Sequence, residues 1–458
     1  MIPMLQHNIL PSSYRDPSGF VFASDGIFYR QVNAVYANDY DLLTNGPLYN
    51  ELIEKKWLIE HDEVNGVDDP RVYKILKPRQ LGFINYPYEW SFSQYRDAAL
   101  LTLHIQQLAM SRGMSLKDAT PFNVVFEGSR PIFIDTLSFE KYDPTKPWVA
   151  YRQFCESFLA PLLLSAYQHP DLSRMMSIYP DGIPINICAS LLPLSSRFKS
   201  LSTLHIHLQA GIKGPANQST GKPPAFSADK LKRIINHLTN GITNLKLSQK
   251  ISTWSDYYSK TILQDNYLQE KEFLVSGLID SIDFSSAVDL GANTGQFALL
   301  IEKKGKGVIA IDIDPLCIER LYLYTKENKN RVTALIADLM NPPPAIGWNN
   351  KERRSLLQRI TADLVLALAL VHHLCIAKNL PFEHLAQTIS KIGKYLIIEF
   401  VPKEDEKVRQ LLSHREDIFM DYDIMNFKSA FEVYFDIIES KPVGNSGRTI
   451  FLMKKKNS

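Results

Sequence analysis

The feature that most constrains this chain is a short apolar run that ends in an acidic residue and leads into two glycines, within Ala287–Ile301. The run has the length of a strand, with Asp289 near its end; Gly291 and Gly295 follow, and a helical pattern begins at Gln296. Glycines at such positions let the backbone turn tightly and approach a ligand closely, because no Cβ is in the way. The free N–H groups of the following helix face the same ligand. The segment therefore predicts a strand, loop and helix that bind a small molecule at the turn.

Further apolar runs of strand length follow, separated by helical patterns. They are Gly307–Pro315, Val332–Asp338, Ala362–Leu370 and Lys394–Phe400, and then a hairpin of Tyr434–Val443 with Arg448–Lys454. Alternating strands and helices indicate βαβ units and a parallel sheet. The nearly continuous apolar character of the fourth run is typical of a strand that is covered on both faces. The predicted fold class is α/β, with a mostly parallel, seven-stranded sheet that ends in an antiparallel hairpin.

Acidic residues stand at the ends of the second and third of these strands. Asp312 lies 21 residues after Gly291, the distance at which a carboxylate meets a ribose in such folds. Asp338 ends the third strand, and Asp314 could cap the helix that begins near Pro315. A dinucleotide site would need the pattern G-x-G-x-x-G, but Asn293 and Gln296 stand in place of its second and third glycines. The pattern does not favour a pyrophosphate ligand.

The D-x-G-x-x-x-G spacing, with its ordered acidic strand ends, resembles motif I and the following units of class I S-adenosylmethionine-dependent methyltransferases. The family often has a glycine where this chain has Asn293. The resemblance implies S-adenosylmethionine as the cofactor, with Asp312 on its ribose and Asp338 on its adenine amino group. The cofactor-binding residues that it implies are Asp289, Gly291, Asn293, Gly295, Asp312, Ile313, Asp338, Leu339 and Ala367.

Candidate catalytic residues follow the fourth and fifth strands, because ligands of open α/β sheets lie outside the carboxyl ends of the strands. His372 and His373 come directly after the fourth strand, where an imidazole could act as general base for a hydroxyl or an amine. Glu399 ends the fifth strand. A structural role remains the alternative for all three. A further candidate, Gly347–Arg353, is a polar and basic stretch that we expect to start a helix, where it either binds substrate or is solvated.

The N-terminal half has a weaker resemblance, to protein-kinase-like folds. Asp118, Asn123 and Asp135 have the spacing of a catalytic loop and a metal-binding strand, and Lys74 lies on a possible phosphate-binding strand. The chain departs from that pattern at Leu116, where kinases have a histidine, and it has no evident glycine-rich phosphate loop. The alternatives are a kinase-like fold without activity, an active phosphotransferase, and an unrelated α+β domain.

The arrangement as a whole resembles a bacterial family of two-part methyltransferases that includes host-specificity nodulation proteins. Family-like stretches are Tyr86–Trp90, Pro147–Gln153 and Glu399–Lys403. The resemblance implies methyl transfer to an acceptor that the sequence does not identify. One alternative is a cofactor-binding regulatory or interaction protein with an inactive methyltransferase fold. The other is a phosphotransferase activity in the kinase-like half.

Length and composition set the remaining expectations. A length of 458 residues indicates more than one domain. The sequence pattern predicts an N-terminal α+β domain over 1–195, for substrate or partner recognition, and a linker with a connecting helix over 196–245. A methyltransferase domain is predicted over 246–458. A formal net charge of +2 does not indicate a nucleic-acid partner. The four cysteines are far apart, so no metal site is predicted. Without a visible signal peptide or a membrane-spanning run, we expect a cytoplasmic protein with no membrane partner.

Overall fold

The structure, a computed structural model, describes residues 9–64, 69–211, 227–248, 267–413 and 415–456. The chain divides into two compact units: unit 1 is Met1–Lys250 with Pro344–Ser355, and unit 2 is Ile251–Pro343 with Leu356–Ser458. The Gly/Pro/Ser-rich part of the predicted linker, Lys213–Pro224, lies outside the described residues. No described helix is both long enough and apolar enough to cross a lipid bilayer.

Unit 1 combines small antiparallel sheets with helices. Its strands are β1 (Gly19–Ser24), β2 (Ile27–Asn33), β3 (His61–Val64), β4 (Val72–Pro78), β5 (Met114–Leu116), β6 (Val124–Glu127), β7 (Arg130–Phe133) and β8 (Phe139–Lys141). Its helices are α1 (Ala37–Asn45), α2 (Pro47–Glu54), α3 (Phe92–Ser111), α4 (Tyr151–Phe154), α5 (Ala160–Tyr167), α6 (Ile185–Leu191), α7 (Ser200–Ser202), α8 (Leu208–Ala210) and α9 (Ala228–Thr243). Single π turns, Cys155–Leu159 and Thr203–His207, join α4 to α5 and α7 to α8.

The main sheet of unit 1 has the strand order β1-β2-β4-β3, with all neighbours antiparallel. Asp25 and Gly26 join β1 to β2 with φ of 50° and 78°, which is the backbone of a tight hairpin turn and explains the Asp-Gly sequence there. The long helix α3 begins at Ser91, whose side chain caps it by accepting a hydrogen bond from the N–H of Gln94. Helix α9 begins after Ser227, whose side chain caps it by accepting a hydrogen bond from the N–H of Lys230, and packs against α3.

Unit 2 is built around one large sheet. Its strands are β9 (Ser286–Leu290), β10 (Gly307–Asp312), β11 (Val332–Ile336), β12 (Ala362–Ala367), β13 (Gly393–Phe400), β14 (Phe435–Pro442) and β15 (Thr449–Lys455). Its helices are α10 (Tyr267–Asp280), α11 (Gln296–Glu302), α12 (Pro315–Asn328), α13 (Leu356–Arg359), α14 (Val371–Cys375), α15 (Phe382–Ser390), α16 (Glu406–Leu412) and α17 (Ile424–Glu432).

The strand order of this sheet is β11-β10-β9-β12-β13-β15-β14. Strands β9 to β13 run parallel, and β15 lies antiparallel between β13 and β14. The order reverses between β9 and β12, so the crevice outside their carboxyl ends is the topological switch point at which such sheets bind ligands. Unit 2 thus has the methyltransferase-like Rossmann α/β fold that the sequence predicts. The glycine-rich loop after β9 lies at this switch point.

Two strands end earlier than the sequence predicts. Strand β11 ends at Ile336, because Asp338 already belongs to a turn in which its side chain accepts a hydrogen bond from the N–H of Met340. Strand β12 ends at Ala367, because Ala369 adopts φ of 52°, which no strand accommodates. The first change moves the candidate Asp338 from a strand into a loop at the carboxyl edge of the sheet, whereas Ala367 remains the last residue of its strand.

Candidate functional site

The loop between β9 and α11 has a left-handed backbone at three of the predicted cofactor-binding residues. Gly291, Asn293 and Gly295 have φ of 76°, 51° and 83°. A Cβ at Gly295 would lie 2.3 Å from the Cδ1 atom of Leu321, so a side chain at this position would require Leu321 to shift and would be strained at this φ. Asparagine is among the few non-glycine residues that adopt positive φ readily, which explains how Asn293 replaces a glycine here. The loop has the tight turn that its sequence predicts.

Asp312 ends β10 and is bound to this loop. Its Oδ2 accepts a hydrogen bond from the N–H of Asn293 at 2.8 Å, and its Oδ1 accepts one from the N–H of Asp314 at 2.9 Å. Burial raises the pKa of Asp312, although these backbone hydrogen bonds oppose the rise. The side chain of Asp314 accepts from the N–H groups of Leu316 and Cys317, so the predicted helix cap is confirmed. Asp312 and Asp314 therefore have separate roles in the same turn.

Asp289 is buried in β9, and its Oδ2 has no hydrogen-bond partner within the described structure. Burial raises the pKa of Asp289 to about 7; the carboxylate of Asp312 adds to this rise, and the ammonium of Lys271 opposes it. An unsatisfied buried oxygen is costly unless a ligand or water pairs with it. Asp289 is therefore a carboxyl group suited to receive a positively charged or hydrogen-bond-donating group of a ligand.

The remaining predicted cofactor residues lie at the carboxyl ends of neighbouring strands. Ile313 follows β10, and 44% of its surface is exposed. Asp338 and Leu339 follow β11 and are half-buried. Ala367 is the buried last residue of β12. The fold thus gathers all nine predicted positions at one edge of the sheet.

These residues fit S-adenosylmethionine in their donor and acceptor chemistry. The cofactor offers an ammonium group, two ribose hydroxyls and an adenine amino group, all of which donate hydrogen bonds. The carboxyl groups of Asp289, Asp312 and Asp338 have the acceptor oxygens that such donors need. The positive φ at Gly291 and Gly295 keeps Cβ atoms out of the loop that the ligand approaches.

Of the catalytic candidates, His372 and His373 lie in the short helix α14, and Glu399 lies near the end of β13. His372 is fully buried, and neither ring nitrogen has a hydrogen-bond partner within the described structure. Burial lowers the pKa of His373 to about 4, helped by the cations Arg448 and Lys407, and holds the pKa of His372 well below its usual value. Both imidazoles are therefore neutral at physiological pH, as a general base must be before it accepts a proton.

Glu399 is part of a cluster of buried charges that the sequence does not predict. Its carboxylate accepts hydrogen bonds from Lys271 at 2.6 Å and from the hydroxyl of Tyr267 at 2.7 Å, and Arg448 lies nearby. Lys271 is on an otherwise ordinary helix, and Arg448 is in a hairpin turn. No local pattern distinguishes either residue from a solvated surface charge.

In unit 1, the three residues of the kinase-like pattern lie close together. The amide of Asn123 donates to Asp118 at 3.2 Å, and burial together with the charge of Asp135 raises the pKa of Asp118. Asp135 forms an ion pair with Arg30, whereas Lys74 pairs with the partly exposed Glu63. Among the residues that the structure describes, no group of three or more His, Cys, Asp or Glu side chains could hold a metal ion.

The prediction that Gly347–Arg353 starts a helix is wrong. Trp348–Asn350 form a 3-10 turn, and Asn349 and Asn350 have φ of 53° and 52°, which breaks any helix. This stretch belongs to unit 1, where Arg15 donates to both carboxylate oxygens of Glu352, at 3.0 and 3.2 Å. Glu352 is therefore buried and paired within unit 1, whereas Trp348–Asn350 and Lys351 are exposed to solvent. A role of this stretch in binding substrate stays a prediction.

Comparison with known proteins identifies the family to which the chain belongs. No protein-family model matches the chain. Nodulation protein NoeA of Rhizobium meliloti (strain 1021) is 31% identical over 455 residues, which cover 97% of this chain and 95% of that protein. The match therefore runs through both units.

Two solved structures resemble less than half of the chain. The N-methyltransferase NodS from Bradyrhizobium japonicum WM9 in complex with S-adenosyl-L-homocysteine is 13% identical, covers 45% of this chain and 100% of that one, and has a TM-score of 0.32. Magnesium protoporphyrin IX methyltransferase (ChlM) from Synechocystis PCC 6803 is 14% identical, covers 44% and 92%, and has a TM-score of 0.33. The near-full-length relative confirms the resemblance that the sequence suggests, and the chain belongs to the family of nodulation protein NoeA.

Proposed function

We propose that unit 2 binds S-adenosylmethionine at the carboxyl edge of its sheet and transfers the methyl group to an acceptor. The observation that carries this proposal is the connection between the loop of Gly291 to Gly295 and Asp312. Asp289 lies beside that loop with an unpaired, buried carboxyl oxygen. A loop with left-handed glycines between two acidic strand ends suits a ligand that carries an ammonium group at one end and a ribose at the other.

Each carboxylate has a separate role in this proposal. Asp289 accepts hydrogen bonds from the ammonium of the methionine moiety, and Asp312 accepts them from the ribose hydroxyls. Both oxygens of Asp312 already accept backbone N–H groups, which fixes the orientation of the carboxylate before the ligand arrives. Asp338 accepts from the adenine amino group, and the exposed side chain of Ile313 packs against the adenine ring.

When bound, the cofactor supplies an electrophilic methyl group on a sulfonium, so no metal is needed for the transfer. The protein orients the acceptor in line with that methyl, and such positioning supplies much of the rate. Burial keeps both His372 and His373 neutral. His373 is partly exposed and is therefore the better placed of the two candidates to remove a proton from a hydroxyl or amine acceptor, whereas His372 is fully buried. Unit 1 recognises the acceptor or another protein in this proposal.

Two other functions are the alternatives to this proposal, one in unit 2 and one in unit 1. A regulatory protein that binds the cofactor without turnover needs the same three carboxylates, and it differs only in the absence of methyl transfer. Phosphoryl transfer by unit 1 needs Asp135 to be available to a metal ion. The Arg30 guanidinium pairs with that carboxylate, so this function has less support.

Calorimetric titration with S-adenosylmethionine, and with ATP and Mg²⁺ in parallel, tests the proposal. We expect micromolar binding of S-adenosylmethionine and a loss of about 10-fold or more in Asp312→Ala, because a charged hydrogen-bond acceptor is removed. Asp314→Ala is the matched control: it removes a helix cap two residues away and should lower thermal stability while the affinity changes little.

No binding to folded wild-type protein, or equal losses in the two variants, contradicts the proposed site. Binding without methyl transfer across a broad panel of acceptors would instead favour the regulatory function. Tight binding of ATP with Mg²⁺ that Asp135→Asn abolishes would support phosphoryl transfer in unit 1.

A further inference from the structure

A set of charged side chains without solvent exposure lies in unit 2, outside the residues proposed to contact the cofactor. Lys271, Glu399 and Arg448 have side-chain exposures of 1%, 0% and 1%, and Asp405 has 4%. With the buried Tyr267, these residues form what we name the buried ion cluster. Its two cations and two carboxylates balance each other, as charges taken out of water must.

Glu399 is the centre of the buried ion cluster. Besides Tyr267 and Lys271, its carboxylate accepts a hydrogen bond from the backbone N–H of Ala369 at 2.7 Å. Burial raises the pKa of Glu399, but the cations Lys271 and Arg448 outweigh that effect and the pKa lies below its usual value. A carboxylate that is inaccessible, ionised and already holds three hydrogen bonds is poorly suited to take a proton from an acceptor.

The other side of the cluster is fixed by Arg448. Its guanidinium donates to both oxygens of Asp405, at 2.7 and 3.1 Å, and to the hydroxyl of Tyr267 at 2.8 Å. That hydroxyl in turn donates to Glu399. The cluster therefore joins helix α10 to the end of β13 and to the turn before β15. These segments lie at the carboxyl edge of the parallel strands, which is also the edge of the candidate site.

The contact with Ala369 connects the cluster to the site. Ala369 has φ of 52°, an unfavourable conformation for alanine that persists only where its surroundings hold it. The next residue, Leu370, packs on the glycine-rich loop, since a Cβ at Gly291 would lie 3.1 Å from its Cδ1 atom. The histidines of α14 follow directly. Glu399 thus fixes the backbone that contacts the cofactor loop and carries the catalytic candidates.

We propose that Glu399 is a positioning residue: through the N–H of Ala369 it holds the loop after β12 against the glycine-rich loop and thereby prepares the cofactor site. This inference rests on the proposed function of unit 2. It assigns Glu399 a role other than general base. Lys271 and Arg448 serve this role by keeping the carboxylate ionised and immobile.

A role in stability alone makes a different prediction from a positioning role. A carboxylate that only stabilises the sheet lowers the melting temperature when it is changed, but the folded protein then binds ligand normally. Asp363 offers the comparison. It lies on β12 itself, at the end opposite to Ala369, where it accepts hydrogen bonds from the N–H and hydroxyl of Ser285 at 2.8 and 2.6 Å.

The experiment compares Glu399→Gln, Asp363→Asn, Lys271→Met and the double variant Lys271→Met/Glu399→Gln with the wild type. The affinity for S-adenosylhomocysteine is measured by calorimetry, and the amide hydrogen exchange of residues 368–371 is measured without ligand. We expect Glu399→Gln to bind about 10-fold or more weakly and to lose protection at Ala369. Asp363→Asn should lose only thermal stability. Glu399→Gln alone leaves the buried ammonium of Lys271 without its counter-ion, whereas the double variant removes that ammonium as well. The double variant should therefore bind more tightly than Glu399→Gln.

Wild-type affinity and wild-type protection in folded Glu399→Gln would overturn the positioning role. Equal losses of affinity in Glu399→Gln and Asp363→Asn would overturn it too. They would indicate that any loss of stability in this sheet weakens ligand binding, wherever the substituted carboxylate lies. A wild-type protein that does not bind S-adenosylhomocysteine would overturn the proposed function itself, and with it the basis of this inference. The two failures are therefore distinguishable by the behaviour of the wild type.

Discussion

The backbone N–H of Asn293 lies 2.8 Å from the Oδ2 atom of Asp312 and donates a hydrogen bond to it. This contact joins the turn after β9 to the end of β10, and it requires the left-handed backbone of Asn293, whose φ is 51°. The side-chain Oδ1 of Asn293 stabilises the same turn by accepting from the N–H of Thr294 at 2.7 Å. The conformation of one residue thus sets the orientation of the carboxylate that we propose binds ribose.

Substitutions of Asn293 test this relationship. Asn293→Gly should keep the affinity for S-adenosylhomocysteine within about 3-fold, because glycine adopts positive φ without strain. Asn293→Val should weaken binding about 10-fold, because a β-branched residue in the left-handed region costs roughly 1–2 kcal/mol and the loop relaxes away from Asp312. Calorimetry on folded protein measures both. Normal binding by Asn293→Val would show that the left-handed turn is not needed.

How far the sequence predicts the structure depends on whether a residue's partners are close along the chain. The strands of unit 2 and the cap at Asp314 are predicted because apolar runs and local caps leave a pattern within a few residues. The pair of Lys271 and Glu399 spans 128 residues, so nothing near Lys271 indicates that its charge is buried. Asn349 and Asn350 form a turn where the sequence predicts the start of a helix, because polar residues suit both structures.

The pKa of Asp289 predicts a pH dependence of cofactor binding. With burial raising this pKa to about 7, the carboxyl group is mostly protonated at pH 5.5 and mostly ionised at pH 7.5. The ammonium of S-adenosylhomocysteine stays charged over this range, and only the carboxylate form of Asp289 attracts it strongly. We expect the affinity to rise by about 10-fold or more from pH 5.5 to 7.5, measured by calorimetry at several pH values.

Asp289→Asn is the control for that pH dependence. This variant should bind S-adenosylhomocysteine more weakly than the wild type at pH 7.5. Its affinity should also rise much less between pH 5.5 and 7.5. Stability should change in the opposite direction: a carboxyl group whose pKa is raised on folding lowers the free energy of unfolding as pH increases from about 4 to about 7. The melting temperature of Asp289→Asn relative to the wild type should therefore be higher at pH 7.5 than at pH 5. A rise in affinity that persists in this variant would assign the titration to another group.

A side chain at Gly295 should be destabilising. A Cβ there would lie 2.3 Å from Leu321 Cδ1, and φ is 83°, so Gly295→Ala must shift the start of α11 or the packing of α12. We expect a loss of about 2 kcal/mol in the free energy of unfolding and weaker binding of S-adenosylhomocysteine.

Gly277→Ala is the matched control, because this glycine lies within α10 and has no atom within 4 Å of an added Cβ. It should leave stability unchanged or raise it slightly. Urea unfolding monitored by circular dichroism measures the difference, and equal effects of the two substitutions would contradict the assignment.

The ion pair of Arg30 and Asp135 predicts the energetics of unit 1. The two side chains are 18% and 14% exposed, and Asp135 also accepts hydrogen bonds from the hydroxyl of Ser138 and the N–H of Leu137, at 2.5 and 3.1 Å. Removing only the cation, in Arg30→Met, leaves a largely buried carboxylate without its counter-ion and should cost about 2–3 kcal/mol in the free energy of unfolding. Arg30→Met/Asp135→Asn should recover most of that loss, because no buried charge remains. Denaturant titration of the full chain measures both variants. If the double variant is no more stable than Arg30→Met, the loss of stability comes from the packing of the Arg30 side chain. The charge attraction between Arg30 and Asp135 would then contribute little.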